Sequence, residues 1–594
     1  MEKDKKQNLS VFKAIRRTTP MVVKAAPFSW VIYALLAILH GSAWGFVAPV
    51  NQRLYDALAN LAMGDGVLRY VYIGAAMVTA LMLLQQVMNA VHNFFINSVL
   101  FEKVNGRLAI VLHKKLKQMP AQIYEDKNHL DDLEKGVEGR GGSINMYCTL
   151  SDAVFFYGAY FAVMGTFLWQ MQPVLLFAFA LVFTPVLLSQ IVEAKYHAEL
   201  ERVSAPIRRQ NAHYEDCLVG LKPMRETRLF GAYFFFKKLF MDSLELLAQK
   251  EWTTHKKIAA ITLGLNIVKG AGWIGVLVLL FRSLMQGYIT VGAFAAVFAS
   301  VGMMFALVEE VVNRIKWSVA QNLGKIHNFI NILDIPIPKK EYAEPDFTQG
   351  ITLTDVTFAY SGADKNAVDG VSLSIRPGQT LALVGENGSG KTTLVKLLCG
   401  LYKPDNGRVL IGGQDVATTM DAALFAKTSG VFQNYGQYVF NLEENVRISS
   451  TEATHDPTQA MTDADVEYTD EKTFPKGLET ILSREFEGVE LSGGQWQRIA
   501  TARGLYRNHD FIVLDEPTAA IDPVEETRMY KRFAELTRNK MAVLVTHRLG
   551  SVRIADKIAV MDGGKIVETG THESLLAGSG KYAQMWAAQA GSYE

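Results

Sequence analysis

The run Leu381-Ala382-Leu383-Val384-Gly385-Glu386-Asn387-Gly388-Ser389-Gly390-Lys391-Thr392 decides the reading of this chain. An apolar stretch of strand character leads into G-x-x-x-x-G-K-T, and Leu394, Leu397 and Leu398 then recur at helical spacing. Strand, glycine loop and helix in that order form a phosphate cradle. Glycines let backbone N–H groups close around phosphate oxygens, and the helix N-terminus adds positive partial charge. Lys391 reaches the β/γ-phosphates of a nucleotide, and Thr392 holds Mg²⁺.

Working outward, residues 351–594 alternate short β-rich runs with helical segments, as an α/β domain should, and Leu381–Gly385, Phe511–Leu514 and Ala542–Thr546 read as buried strands. The strand Phe511-Ile512-Val513-Leu514 ends in Asp515-Glu516. One carboxylate is placed for a metal's water shell and the second to polarise an attacking water. Leu491-Ser492-Gly493-Gly494-Gln495 precedes a helix through Ile499, Ala500 and Arg503, so Ser492 caps it and its first N–H groups form an anion site. Alone, Ser-Gly-Gly before a helix is an ordinary cap. Beside the phosphate loop and the acid pair it becomes diagnostic.

Upstream the composition changes. The 594 residues exceed what one domain holds, and the whole chain is 49% hydrophobic and only 20% charged, with a mean hydropathy of +0.11. Sixty Lys+Arg against fifty-nine Asp+Glu give a net charge of +1, so nothing electrostatic points to nucleic acid. Cys148, Cys217 and Cys399 are far apart and read as free thiols. Six apolar stretches are long enough to cross a membrane: Ser29–Val50, Tyr70–Leu100, Asp152–Gln170, Pro173–Val192, Ile258–Phe281 and Val291–Val308. Two long connections, 101–151 and 193–257, are rich in Lys and Arg, which places them and the N-terminus in the cytoplasm. Helical periodicity at Leu108, Val111, Leu112 and Leu116 carries the spans past the bilayer as helical hairpins, whose tips fall at Tyr124–Leu133 and Arg225–Tyr233. Prolines 336, 338 and 345 mark a linker. The expected organisation is a cytoplasmic segment 1–28, a six-helix membrane domain 29–330, a linker 331–350 and an α/β phosphate-loop domain 351–594.

Polar residues interrupt the spans. Gln85, Asn89, Asn93 and Asn97 follow one another at i, i+4 with His92 beside them, a polar face that either lines an aqueous cavity or bonds neighbouring helices. Lys269 lies near the middle of the fifth span. There a Lys needs either a polar cavity or an acidic partner such as Glu309 or Glu310.

These motifs in this order resemble the ATP-binding cassette transporters, and the whole chain resembles one half-transporter of the exporter type. The resemblance implies ATP and Mg²⁺ as ligands and ATP hydrolysis coupled to alternating access. Tyr360 is similar to the aromatic that stacks on adenine, and Gly385, Asn387, Gly388, Ser389, Gly390, Lys391, Thr392 and Thr393 to the phosphate loop. Gln433 matches the glutamine that joins Thr392 and Asp515 on Mg²⁺, and His547 the γ-phosphate histidine beside the catalytic Glu516. Asp522 ends the D-loop Ala519-Ala520-Ile521-Asp522. In the family two such domains pair head to tail, so Ser492, Gly493, Gly494 and Gln495 of one subunit cover ATP on the other. That implies a second half-transporter as partner, a homodimer in the simplest case, with the hairpin tips as coupling helices.

The motor run through Trp496-Gln497-Arg498 and Pro517-Thr518 is most similar to bacterial lantibiotic and peptide exporters. This supports a peptide or amphipathic cargo and a bacterial cytoplasmic membrane. Before the signature, Ser483-Arg484-Glu485-Phe486-Glu487-Gly488 departs from the common exporter pattern Thr-Glu-Val-Gly-Glu-Arg-Gly. A lipid flippase, an importer and a nucleotide-gated regulator are the competing readings; a soluble ATPase is excluded by the six spans.

Overall fold

The computed structural model describes residues 11–125, 127–337, 340–516, 523–547 and 549–590. The chain folds into two compact units, Met1–Lys117 with Asp131–Ile335, and Gln118–Leu130 with Pro336–Glu594. The division in space departs from a single cut in the sequence, because Gln118–Leu130 folds with the C-terminal unit.

The first unit is all helical. Its helices are α1 (Val11–Ala25), α2 (Pro27–Gly45), α3 (Val47–Ala62), α4 (Leu68–Phe94), α5 (Phe101–Lys117), α6 (Lys127–Asp152), α7 (Gly158–Met171), α8 (Pro173–Val219), α9 (Leu221–Leu229), α10 (Tyr233–Met285) and α11 (Val291–Asp334). Five helical stretches are long and apolar enough to cross a membrane, and Pro173–Ser189 within α8 is a shorter apolar helix. All six expected spans are therefore helical. Each continues beyond its apolar core, since a helix satisfies its own backbone in lipid and in water alike. The first span runs on to Ala62 after a break at Phe46, past the charged Arg53 and Asp56. Asp56 has a partner: its Oδ1 accepts the Gly292 N–H at 2.9 Å, at the first turn of α11, where backbone donors lack helical acceptors. Thr290 caps the same turn by accepting from the Ala293 N–H.

Two π-helical turns, Phe95–Leu100 and Ala153–Tyr157, join α4 to α5 and α6 to α7. Helix α2 lies against the second of them. A Cβ on Gly41 would sit 2.0 Å from the Phe156 carbonyl oxygen, so only glycine permits that approach. The buried centre of the unit is formed by Tyr160, Met164, Phe179, Leu280, Val297 and Met304. Leu83, Phe94 and Leu263 remain exposed, as lipid-facing side chains do.

In the second unit β1 (Ile351–Phe358), β2 (Val368–Ile375), β4 (Asn406–Ile411) and β5 (Gln414–Asp415) form an antiparallel sheet in the order β2-β1-β4-β5. A six-stranded sheet has the order β10-β9-β3-β8-β7-β6. It comprises β3 (Thr380–Gly385), β6 (Thr428–Val431), β7 (Phe511–Asp515), β8 (Met541–Val545), β9 (Lys557–Asp562) and β10 (Lys565–Gly570). β3, β6, β7, β8 and β9 are parallel, and β10 returns antiparallel. Strands β3, β7 and β8 are buried along their whole length, which explains their unbroken apolar sequences. Helix α12 (Lys391–Leu398) packs Leu394, Leu397 and Leu398 into the core shared by the two sheets. The parallel strands thus end together where the glycine loop and the acid pair emerge.

Candidate functional site

The turn from β3 into α12 is built by backbone conformations that few residues adopt. Gly390 has φ +102°, and a Cβ there would lie 2.2 Å from the Ala367 carbonyl oxygen. Helix α12 starts at Gly390 without a side-chain cap, leaving its first-turn N–H groups to an incoming anion. Asn387 and Gly388 form the exposed crest of the loop. Ser389 is buried beneath it, its hydroxyl lacking a hydrogen-bond partner among the described residues. Lys391 is 6% exposed and donates to the Gly385 and Glu386 carbonyls, both at 2.9 Å. Burial lowers its affinity for a proton, against the pull of Glu516 and Asp515. A phosphate would draw the ammonium from neutral carbonyls onto a full negative charge.

At the end of β7, Asp515 is 1% exposed; its Oδ1 lies 3.4 Å from the Thr392 hydroxyl, and its Oδ2 has no hydrogen-bond partner among the described residues. Burial raises the carboxyl to about 6. An orphaned, buried carboxylate oxygen beside a threonine hydroxyl is a donor set for a hard cation such as Mg²⁺. Glu516 follows at φ +48°, a left-handed conformation that costs a non-glycine residue about 1–3 kcal/mol, and its N–H donates to the Val545 carbonyl. The strained turn aims its carboxylate at two partners: Gln433 Nε2 donates to Oε2 at 2.9 Å, and His547 Nδ1 lies 3.5 Å from Oε1. Loop lysine, threonine, both acids, glutamine and histidine thus converge at the ends of β3, β7 and β8.

Tyr360 is placed by its hydroxyl, 3.0 Å from Thr393 Oγ1, and by edge-on contact with Phe358. Tyr360 borders a cavity of about 350 Å³ lined also by Gln122, Glu125, Tyr402 and Asp405. Glu125 belongs to the first hairpin tip. It pairs with Lys396 of α12 at 2.6 Å, and Gln122 donates to the Lys403 carbonyl at 3.0 Å. Lys396 also donates to the Tyr402 hydroxyl at 3.0 Å. Ser492 and Gln495 form a reciprocal capping box on the helix Gly493–Tyr506, and Ser492 and Gly493 face outward with Gly494 half-buried beside them. The D-loop, Asp522 included, lies outside the described residues, as do Asp126 and the side chains of 127–132.

Sequence reasoning missed two supports. Tyr435 donates to the Gly493 carbonyl at 2.9 Å, and Gln497 Nε2 to the Glu516 carbonyl at 3.4 Å, tying the signature turn to the glutamine loop and to the acid pair. Gln497 is 4% exposed, and a glutamine directly after Trp496 at the helical spacing of the buried Ala500 and Thr501 was the available signal. Residues Arg484–Phe486, in the divergent stretch, form a 3₁₀ turn closed by Glu487 at φ +59°, with Phe486 exposed.

A model of the family described as "ABC transporter" matches residues 368–519, from β2 to the D-loop. The C-terminal unit is an ABC transporter ATP-binding domain. The ATP-dependent lipid A-core flippase of Thiobacillus denitrificans is 32% identical over 371 residues, covering 61% of this chain and 63% of the relative. The subtilin transport ATP-binding protein SpaT of Bacillus subtilis is 28% identical over 371 residues, 61% of this chain and 60% of the relative. The chain thus spans between 46% and 63% of the length of the first curated relatives it matches. Among solved structures, a bacterial Atm1-family ABC exporter with ATP bound superposes with a TM-score of 0.78 at 21% identity, over 97% of this chain and 98% of that one. The chain has the ABC exporter fold, with apolar spanning helices preceding a cytoplasmic ABC domain.

In the membrane unit the polar face of α4 divides. Gln85 is buried and donates to the Ala43 carbonyl at 3.2 Å, and His92 is buried against α2 and α6. Asn89, Asn93 and Asn97 are exposed and bond along their own helix, Asn93 to Asn89 and Asn97 to Asn93. Lys269 is paired: its Nζ lies 2.8 Å from Glu309 Oε1 and 5.5 Å from the Phe305 ring centre. Of the two environments open to that lysine, the acidic partner is present.

Proposed function

We propose that this chain is one half of an ATP-driven membrane exporter, working as a homodimer in a bacterial cytoplasmic membrane, with residues 29–330 as the membrane domain, 331–350 as linker and 351–594 as motor. The observation that carries this is the intact acid pair. Glu516 is held by Gln433 and faces His547 beside Lys391 and Thr392, an arrangement built for hydrolysis rather than binding alone.

Lys391 and the loop N–H groups hold the β/γ-phosphates and Tyr360 stacks on the base. Thr392, Asp515 and Gln433 would hold Mg²⁺, which neutralises phosphate charge. Glu516 takes the proton of the attacking water, and His547 donates to the γ-phosphate. Ser492 and Gly493 face outward, and the turn they form with the half-buried Gly494 and Gln495 would close the site on a second copy. The exposed Leu229, Phe230 and Phe234 at the second hairpin tip give that copy an apolar surface to cover.

The cargo read from the motor is a peptide or amphipathic small molecule, with Gln85, Asn89, His92, Asn93 and Lys269 as the candidate cavity set. The exposed Asn89 and Asn93 fit a water-facing wall best. A lipid flippase is the second reading, favoured by the flippase name of the relative described above. Measuring the ATPase of the purified chain in lipid against peptides, lipids and drugs decides between them. Stimulation by lipid alone moves the assignment to flippase, and absent turnover in the paired state removes the exporter.

A further inference from the structure

Within the membrane unit, α2, α4, α6 and α11 bring together polar side chains that take no part in the ATP site. The Trp44 indole donates to His40 Nε2 at 3.0 Å, and His40 Nδ1 faces His92 Nδ1 at 3.2 Å. His92 Nε2 lies 3.6 Å from Asp152 Oδ1, which also accepts the Tyr33 hydroxyl at 2.5 Å. Arg314 Nη1 stands 3.7 Å from Asp152 Oδ2 and its Nε 3.0 Å from Glu310. His40, His92 and Asp152 are 5%, 4% and 7% exposed, whereas half of the Arg314 side chain is open.

The donors fix the direction of this chain. An indole only donates, so His40 Nε2 accepts and its proton resides on Nδ1. His92 Nδ1 then accepts from His40, leaving the His92 N–H on Nε2, aimed at Asp152. Tyr33, His92 and Arg314 thus all converge on one carboxylate. The same reasoning rules out a metal ion between the two Nδ1 atoms, because ligation there would put a proton on His40 Nε2, against the indole N–H. Within the His40–His92–Asp152 chain an extra proton has one seat, Asp152, since a proton on either imidazole meets a donor. At the Trp44 end the half-buried indole N–H bars a proton from His40, and the Arg314–Glu310 end is open.

A second observation is independent of the first. The π turn Phe95–Leu100 begins three residues after His92, and the π turn Ala153–Tyr157 begins directly after Asp152. Such turns are rare in helices and gather at functional sites. The groups facing Asp152 are Tyr33 and His40 from α2, His92 from α4, Cys148 from α6, Tyr157 from the π turn, and Glu310 and Arg314 from α11.

We propose that Asp152 is a proton-binding site, loaded from the Arg314–Glu310 side, and that the ATP-driven rearrangement of these helices withdraws Arg314 and places one proton from solution on Asp152 Oδ2. The cycle is then proton-linked as well as ATP-driven. This rests on the reading that ATP binding rearranges the membrane unit.

The test uses the full chain in lipid carrying Glu516→Gln, weakly buffered, with a pH dye reporting protons exchanged on addition of Mg-ATP and a fluorescent ATP analogue reporting occupancy. The parent is expected to take up more protons per chain than the same protein with Asp152→Asn, the difference approaching one. Arg314→Gln removes a cation from the carboxylate, so the proton is bound before ATP arrives and the uptake on adding Mg-ATP falls toward that of Asp152→Asn. Equal proton counts in the parent and Asp152→Asn, with ATP bound to both, overturn the proposal. Where Asp152→Asn does not assemble, an uptake in Arg314→Gln equal to the parent's, with ATP bound to both, overturns it equally. Failure of the parent to bind ATP refutes the transporter reading instead.

Discussion

Replacing Asp515 with Asn separates what the ATP site costs the fold from what it does. Burial raises this carboxyl from its ordinary 3.8 to about 6, with one oxygen unpartnered. At about 1.4 kcal/mol per pH unit the difference amounts to roughly 3 kcal/mol. The folded state binds the extra proton between those two values. The penalty is therefore absent below pH 3.8, grows as pH rises and is complete above about 6. Asparagine is neutral and of similar size but still leaves an amide to satisfy, so Asp515→Asn is expected to stabilise the nucleotide-free protein by about 1–3 kcal/mol near neutral pH. For a unit of this size each kcal/mol is roughly 2–4 °C. Thermal unfolding of the full chain in detergent, followed by tryptophan fluorescence, reads the shift; at about pH 5 the gap should fall to roughly half. Mg-ATP should reverse the order, stabilising the parent and scarcely the variant. A parent at least as stable as the variant without nucleotide, or a gap indifferent to pH, would refute the assignment of Asp515 as a buried, cation-seeking carboxylate.

Three further outcomes follow from the same geometry. Glu516→Gln should retain ATP binding while lowering steady turnover by about 10²–10⁴-fold, read by phosphate release. Tyr360→Ala should weaken ATP by about 3–10-fold in equilibrium binding, and Tyr360→Phe, which keeps the ring and loses only the Thr393 contact, by less. Lys269→Met and Glu309→Gln should each destabilise the membrane unit, and the double variant should recover part of the loss, with a coupling of about 0.5–3 kcal/mol from thermal unfolding in detergent.

The six spans and the phosphate loop were legible because each is written in consecutive residues: a predominantly apolar run of that length has to be a helix in lipid, and G-x-x-x-x-G-K-T between strand and helix has one geometry. The junctions were less so. Nothing in Phe95–Leu100 or Ala153–Tyr157 announces a π turn, since one extra residue per turn leaves composition untouched. Asp152 read as the edge of a span and His40 as part of an uncharged one. Their meaning comes from His92 and Arg314, which are distant in sequence. The choice between cavity and partner for Lys269 likewise needed the position of α11 beside α10.

Gln118–Leu130 lies within the stretch that encodes the spanning helices, yet it folds with the ATP-binding unit, where Glu125 and Gln122 engage Lys396 and the Lys403 carbonyl. A motor excised at the proline linker would lose that plug and leave Lys396 without its carboxylate. A chimaera that borrows only the C-terminal half from a relative would mate a foreign socket to a native plug. For this fold the smallest exchangeable part is two pieces of gene, and Glu125 and Lys396 should be transplanted as one.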